Sequence, residues 1–199
     1  PFNLTLLKNR SQHVIPAFSV SCLPRIVFGE GTLRQVPILS ASFGRRVLLI
    51  TGGHSLRDSA HWGTLTTGLR TQGMSWEEMR IQGEPSPQIV DEAVRAWRGA
   101  HIEVVIGIGG GSVLDAAKAV AGLLPHGNSV LDHLEGAGPE LPYSGPATPF
   151  IAVPTTAGTG SEATRNAVLS VRGAQGVKKS FRHELVVPRY AVVDPLLLA

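Results

Sequence analysis

Three consecutive glycines followed by a serine, at positions 109–112, are the residues with the clearest chemical use. They follow the apolar run Val104–Ile108, which lacks polar alternation and therefore predicts a buried parallel strand. Glycine lets another group approach the backbone closely, and the alanine-rich stretch that follows predicts a buried helix. Ser112 is a suitable N-cap for this helix, with Asp115 three positions further on. Bare amides at such a helix start are a natural site for the pyrophosphate of a nucleotide cofactor.

The same glycine turn also has a purely structural explanation. The order Gly107-x-Gly109-x-x-Ser112 nearly matches the dinucleotide-binding fingerprint, but serine stands where the third glycine belongs. The acidic residue that usually closes a second strand about 20 residues on is not evident. Glycine turns also join strands to helices without binding anything, so this stretch alone is a weak signal.

The composition of the 199-residue chain indicates one sizeable α/β core, because strand-like runs alternate with helical stretches. The net charge is only +3 and the basic residues are scattered, so we expect no nucleic-acid partner. Neither a membrane-spanning run nor a signal peptide is evident, so we expect no membrane partner. The single cysteine, Cys22, excludes an internal disulfide and favours a reducing, cytoplasmic location.

Three predicted strands end in loops of small or hydroxyl-bearing residues. In an open parallel sheet, ligands bind outside the carboxyl ends of the strands, so three such loops should converge on one crevice. For any single loop, an ordinary turn that satisfies its own amides explains the sequence equally well. Agreement among the three favours a cofactor site. The loops are Thr51-Gly52-Gly53, Gly109-Gly110-Gly111-Ser112 and Pro154-Thr155-Thr156.

Hydrophobic periodicity and turn residues predict the other elements. The stretch 125–149, rich in Gly and Pro, is predicted to be a long loop, and an exposed edge strand near Phe18 would allow a homodimer. The predicted elements are an edge strand at 18–22, a helix at 33–39 capped by Thr32, a helix from Ser55 to about Gly73, a strand at 74–82 and a helix at 88–98.

Two long motifs give the chain a family resemblance. GGGSVLDAAK at 109–118 and PTTAGTGSE at 154–162 closely resemble the iron-containing (group III) alcohol dehydrogenases. RIVFGEG at 25–31 and VVDP at 192–195 look like the same family in the same order, so the resemblance covers the chain from about residue 15. The two long motifs together are specific. The related glycerol dehydrogenases usually have lysine at the position of Ser112, and dehydroquinate synthases lack the second motif.

The resemblance implies a Rossmann-like parallel sheet flanked by helices, a dehydroquinate synthase-like N-terminal domain, over residues 1–199. An all-helical domain is expected to follow, and the apolar stretch 196–199 predicts that the chain is a fragment of a longer protein. Gly110, Gly111 and Ser112 would hold the pyrophosphate, with Asp115 steadying the turn. The other implied cofactor positions are Gly52, Ser86 (in place of an adenosine-side asparagine), Thr155, Thr156, Thr164, Val168 beside the nicotinamide and Lys178 at its ribose.

Two of these implied positions have equally simple structural explanations, since Val168 would also serve as plain core and Lys178 as a solvated surface lysine. Gly52 bears on the choice between NADP and NAD. Many NAD-preferring relatives have aspartate there, and a carboxylate would repel a 2′-phosphate. Glycine removes that repulsion and Arg57 would supply a positive partner, so the sequence favours NADP over NAD.

The resemblance also implies a metal, Fe²⁺ or Zn²⁺, held in the full-length protein by one aspartate and three histidines of the helical domain. The seven histidines of this chain include no i, i+4 pair, so we assign it no metal ligand and no catalytic residue. The full-length protein is expected to interconvert a small alcohol and an aldehyde or ketone by hydride transfer, whereas this chain alone should be inactive. A dehydroquinate synthase-like or glycerol dehydrogenase-like domain and a non-catalytic nucleotide-binding module are the alternatives.

Overall fold

The computed structural model describes residue 17 and residues 22–171 and 176–198. The edge strand predicted at 18–22 lies outside the described residues except for Cys22, which belongs to no regular element. The described chain contains eight strands and four α-helices, and no α-helix follows the fifth strand. The strands are β1 (Arg25–Phe28), β2 (Arg46–Thr51), β3 (Ser75–Arg80), β4 (Val104–Gly109), β5 (Phe150–Pro154), β6 (Asn166–Val171), β7 (Val177–Arg182) and β8 (Tyr190–Val193). The helices are α1 (Val36–Ser40), α2 (Ala60–Thr71), α3 (Pro87–Trp97) and α4 (Gly111–Leu123).

Six of the strands form one parallel sheet in the order β1-β8-β5-β4-β2-β3. The remaining pair, β6 and β7, is antiparallel and forms a separate sheet. The prediction of a Rossmann-like α/β domain is confirmed. Because β4 and β5 are neighbours at the centre, the two long motifs that follow them start side by side.

Helices cover both faces of the sheet, which explains the unbroken apolar runs in its central strands. Along β2, Leu48 and Ile50 point to the layer formed by α3 and α4, whereas Val47 and Leu49 point to α2 and the turn after β1. All four side chains are fully buried. Successive side chains therefore point to opposite faces of the sheet, but all of them are apolar because both faces are covered.

Two helix starts differ from the prediction. Thr32 does not cap a helix over 33–39, because a 3-10 turn spans Thr32–Gln35 and only then does α1 begin, with Gly31 before the turn in the left-handed region. The helix expected from Ser55 begins at Ala60 instead, and its N-cap is Ser59. Residues 54–58 form a turn in which the Asp58 amide donates to the His54 carbonyl at 2.9 Å, and this turn delays the helix.

A buried carboxylate joins the segments that follow β1 and β8, the first and last strands of the described chain. Asp194, which follows β8, accepts hydrogen bonds from the amides of Gly31 and Leu33 at 3.0 Å each and from Leu196 at 3.1 Å. Burial alone would raise the pKa of Asp194, but these backbone donors outweigh it and hold the pKa below its usual value. The carboxylate therefore fixes the turn after β1 to the end of β8.

The predicted long loop holds only one short 3-10 turn, Val130–His133. The hydroxyl of Tyr143 lies 2.7 Å from the carbonyl oxygen of Gly122 and 2.9 Å from that of Pro146, which ties the loop to the end of α4. Within the described ranges, every helix is too short or too polar to cross a bilayer.

Candidate functional site

The turn between β4 and α4 is shaped by close packing. A Cβ atom at Gly109 would lie 2.6 Å from the side chain of Val113, and one at Gly107 would lie 2.8 Å from the Cβ of Ala117. Only glycine allows α4 to approach β4 this closely. The backbone of the helix start is thereby brought directly against the carboxyl end of the central strand.

The N-cap of α4 is Gly110, not Ser112 as expected. The amides of Val113 and Leu114 already donate to the Gly110 carbonyl at 3.0 and 3.1 Å, so Ser112 lies inside the first turn. No side chain in the described part of the protein caps this helix start. The first amides of α4 therefore remain available to a ligand.

The second motif packs directly over the first. The Thr155 amide donates to the Gly109 carbonyl at 3.0 Å, which continues the ladder between β4 and β5. A Cβ atom at Gly110 would lie 3.3 Å from the Thr156 hydroxyl, and one at Gly111 would lie 3.0 Å from the methyl group of Thr159. The two loops thus face each other closely across the helix start, because Gly110 and Gly111 have no side chains.

An open cleft of about 380 Å³ lies at this position, between the start of α4 and the β6–β7 sheet. It collects residues from five separate parts of the chain. The predicted residues that line it are Gly111, Ser112, Asp115, Val168 and Lys178, and the sequence analysis did not single out its other lining residues, Glu84, Pro85, Thr159 and Ser161.

Several predicted residues lie outside the lining. Gly52 directly follows the neighbouring strand β2, where a Cβ atom would make ordinary contact with Val113 at 3.6 Å. Thr155 lines a different pocket, of about 280 Å³, together with Ser55, His61 and residues 196–198. Thr164 is exposed and absent from the cleft lining, although its hydroxyl accepts a hydrogen bond from Lys118.

Ser86 is buried and serves as the N-cap of α3, where its hydroxyl accepts from the Ile89 amide at 3.4 Å. The preceding residue, Pro85, lines the cleft, and its carbonyl accepts from the Ser170 amide at 2.7 Å. Ser86 thus lies next to the cleft, and its hydroxyl already has a structural partner.

An ion pair stands at the mouth of the cleft. The Lys178 ammonium lies 3.0 Å from the Glu84 carboxylate, and the Ser170 hydroxyl donates to the same carboxylate at 3.1 Å. The hydrogen bonds from Lys178 and Ser170 lower the pKa of Glu84. An anionic ligand that reaches Lys178 must therefore compete with Glu84. No local pattern predicted this ion pair, because its two residues are far apart in sequence.

Lys118, behind the cleft, is a further residue whose role the sequence did not predict. Its side chain is fully buried, and its Nζ donates to the carbonyl oxygens of Ser161 and Asn166 at 2.7 Å each. Burial lowers the pKa of Lys118 to about 8, although the carboxylates of Asp115 and Glu162 oppose the shift. A lone lysine on an otherwise apolar helix was the available signal, because such a residue must find buried partners.

Asp115 faces Lys118 and the loop of the second motif. Its carboxylate accepts a short hydrogen bond from the Ser161 hydroxyl and lies 3.9 Å from the Lys118 ammonium. Burial raises the pKa of Asp115, and the bond from Ser161 and the charge of Lys118 only partly offset this. Asp115 is therefore joined to the second motif through Ser161, and its predicted role in steadying the turn stays a prediction.

Arg57 already has two partners. Its guanidinium forms an ion pair with Glu78 and lies over the Trp62 ring, 4.6 Å from the ring centroid. Its charge is thus partly neutralised at the place where a 2′-phosphate was predicted to need it. As for metals, no group of three or more His, Cys, Asp or Glu among the described residues is arranged to hold an ion.

Comparison with known sequences places these motifs in one family. The family model described as iron-containing alcohol dehydrogenase matches residues 24–195. The long-chain primary alcohol dehydrogenase AdhA of Thermoanaerobacter ethanolicus is 31% identical over 188 residues, covering 91% of this chain and 46% of the relative. The probable alcohol dehydrogenase EutG of Escherichia coli is 33% identical, covering 92% of this chain and 45% of the relative.

Solved structures agree with this match. The crystal structure of NADH-dependent butanol dehydrogenase A from Thermotoga maritima has a TM-score of 0.79 at 30% identity, covering 91% of this chain and 45% of that one. The archaeal Red Sea brine pool alcohol dehydrogenase ADH/D1 has a TM-score of 0.83 at 28% identity, covering 92% and 48%. The chain thus spans less than half the length of these relatives.

Proposed function

Since the chain belongs to the iron-containing alcohol dehydrogenase family, we propose that residues 1–199 form the nicotinamide-cofactor-binding domain of a metal-dependent alcohol dehydrogenase. The full-length protein would interconvert a small alcohol and an aldehyde or ketone by hydride transfer. The observation that carries the proposal is the uncapped start of α4 beneath the loop of the second motif, in one cleft at the carboxyl edge of the sheet.

The described residues fit a dinucleotide. The amides of Gly111 and Ser112 at the positive end of α4 would bind the pyrophosphate, and the absence of glycine side chains leaves the backbone accessible. Val168 offers an apolar surface in the same cleft, and Lys178 offers a positive charge that is paired with Glu84. When bound, the cofactor would supply a nicotinamide ring that accepts or donates the hydride.

The acidic residues of the cleft do not argue against an anionic ligand. The Asp115 carboxylate accepts a hydrogen bond from the Ser161 hydroxyl, and the Lys118 ammonium behind it partly balances its charge. Glu84 is paired with Lys178 at the surface, and a phosphate would exchange with it at modest cost because exposed ion pairs are worth at most about 1 kcal/mol. The chain's contribution is thus to bind and orient the dinucleotide.

The described residues do not fit a metal ion, because they bring together no suitable set of ligands. We therefore derive no step that depends on Fe²⁺ or Zn²⁺, and the placement of its ligands in the helical domain stays a prediction. The small alcohol or aldehyde substrate, a homodimer and a cytoplasmic location stay predictions for the full-length protein. The preference for NADP over NAD rests on Gly52 alone, since Arg57 is engaged by Glu78.

The proposal is tested by titrating the protein with NADH and with NADPH while following nicotinamide fluorescence. We expect saturable binding of at least one of them. In Ser112→Glu, a carboxylate inside the first turn of α4 would repel the pyrophosphate, and we expect affinity to fall about 100-fold. An acidic residue in the first turn favours the helix itself, so the variant should remain folded.

Ser42→Glu is the matched control, because it adds the same charge at an exposed position before β2, on the opposite edge of the sheet. Its affinity should equal that of the wild type. Failure of the wild type to bind either dinucleotide, or an equal loss in both variants, would contradict the proposed site.

A further inference from the structure

Lys118 lies behind the cleft and not in it. Its side chain is 0% exposed, and it is absent from the cleft lining. In addition to the carbonyls of Ser161 and Asn166, its Nζ donates to the Thr164 hydroxyl at 3.1 Å. All of these acceptors belong to one segment, residues 161–166, which connects the second motif to β6.

This segment forms the wall opposite the helix start. Ser161 lines the cleft and donates to Asp115, while Thr159, two residues earlier, packs against Gly111. The Ser161 amide lies 3.5 Å from the Thr159 hydroxyl, which joins the two. Holding residues 161–166 in place therefore sets the separation between the second motif and the first turn of α4.

Core packing alone does not account for an ammonium at this position. A buried charge is costly unless it is fully paired, and methionine has a similar length with no charge. The three N–H groups of the ammonium match the three acceptors on residues 161–166, and the Asp115 carboxylate partly balances the charge. The lysine thus provides a directional three-point attachment that no apolar side chain can provide.

We propose that Lys118 is a positioning residue for the cofactor cleft, which holds residues 161–166 against α4 through its three hydrogen bonds without touching the cofactor. The inference rests on the proposed function, since it names how one wall of that same site is held. It predicts that dinucleotide affinity depends on the protonation state of a residue that the ligand does not reach.

The direction of this dependence follows from the hydrogen bonds. A neutral amine has two N–H groups instead of three and is no longer attracted to Asp115. Burial lowers the pKa of Lys118 to about 8, so the change falls within an accessible range. The charged groups around it are Asp115 on α4, Glu162 on the second motif, and Lys178 on β7, which acts on Asp115. Affinity should therefore decrease as the pH rises through about 8.

The experiment measures dissociation constants for NADH and NADPH between about pH 6.5 and pH 9.5 in the wild type and in Lys118→Met. We expect the variant to bind about tenfold more weakly at neutral pH, the size of effect expected for a lost buried hydrogen-bond network. We also expect it to lack the decrease through pH 8. Lys179→Met is the control, because Lys179 follows Lys178 in sequence but lies outside the cleft lining. It should keep both the wild-type affinity and the wild-type pH profile.

Amide hydrogen exchange gives a readout that does not need the cofactor. In Lys118→Met the amides of residues 161–166 should exchange faster, whereas those of β4 and β5 should keep their protection. If Lys118→Met does not fold, Ser161→Ala and Thr164→Val replace it, because each removes one side-chain partner of the network and leaves the lysine in place. Each should exchange faster within 161–166 and bind more weakly.

The outcomes separate this inference from the proposed function. A wild type that binds no dinucleotide contradicts the proposed function, and unchanged exchange in 161–166 then also overturns the positioning role. A wild type that binds, together with a Lys118→Met variant of equal affinity and an identical pH profile, overturns the positioning role alone. Wild-type affinity in both replacement variants would do the same.

Discussion

The start of α4 differs from those of α2 and α3, although all three helices follow strands of the same sheet. Ser59 caps α2 and Ser86 caps α3, and each hydroxyl accepts a hydrogen bond from an amide of its first turn. At the start of α4 stands Gly110, which has no side chain to do so. Capped amides are satisfied from within the fold, whereas uncapped amides facing a cleft are suited to a ligand.

The buried face of α4 also differs from those of α2 and α3, because it contains a charged residue. The buried residues of α2 and α3 are apolar apart from Thr66, whereas α4 buries Lys118 against a partner carboxylate. Both differences in α4, the uncapped start and the buried lysine, lie within the motif at 109–118. Under the proposed function, the first two helix starts contribute stability and the third binds the cofactor.

The largest predicted effect concerns the pH dependence of stability at Lys118. Its pKa is about 8 in the folded protein and 10.5 ordinarily, so above pH 8 the unfolded chain binds more protons and stability rises with pH. The cost of the buried ammonium is fully present below pH 8 and fades as the pH approaches 10.5. Compared with Lys118→Met, the wild type should gain about 2 kcal/mol of unfolding free energy between about pH 7.5 and pH 10.

Urea denaturation of both proteins at the two pH values measures this difference, in which all other titrations cancel. A constant difference between the proteins would mean that Lys118 keeps an ordinary pKa. The contrast between the interior of α4 and those of α2 and α3 would then have no electrostatic consequence.

A smaller effect is expected from Gly110→Ser, which would make the start of α4 resemble those of α2 and α3. The new hydroxyl would occupy an amide that the pyrophosphate needs, and its Cβ would press against Thr156. We expect dinucleotide affinity to fall about tenfold, corresponding to one lost charge-assisted hydrogen bond. Fluorescence titration checks the affinity, and circular dichroism checks that the fold is retained. Undiminished binding would show that the uncapped amides are not used.

The converse change is Ser59→Ala, which removes the cap of α2. We expect a loss of about 1 kcal/mol in unfolding free energy, the usual cost of removing a serine N-cap. Ser86→Ala should cost a similar amount at α3. Because Ser86 lies next to the cleft, only this second variant is expected to weaken dinucleotide binding as well. Equal binding in both variants would assign Ser86 a purely structural role.

The last prediction is the absence of an effect. Addition of Fe²⁺ or Zn²⁺ to the purified chain with a primary alcohol and NAD or NADP should give no reduced nicotinamide, because the described residues bring together no metal ligands. Measurable alcohol oxidation by residues 1–199 would refute this assignment.

Local sequence predicted most of the sheet, because continuous apolar runs such as those of β2 and β4 occur where a strand is covered on both faces. It predicted less well where tertiary packing decides. Ser112 has the best capping chemistry near α4, but the helix begins at Gly111 with Gly110 as its N-cap. The partners of Lys118 lie 43 to 48 residues away in sequence, so no local pattern could identify them.

¹⁵N–¹H correlation spectra of the labelled protein, recorded during titration with NADPH and NADH, show whether the uncapped start of α4 binds the dinucleotide. We expect the amides of Gly111 and Ser112 to shift strongly and those of Thr156 and Thr159 to shift slightly less. The amides of Ala60 and His61 in the first turn of α2 should shift far less. Equal shifts at the two helix starts, or none at Gly111 and Ser112 on saturation, would contradict binding at the start of α4.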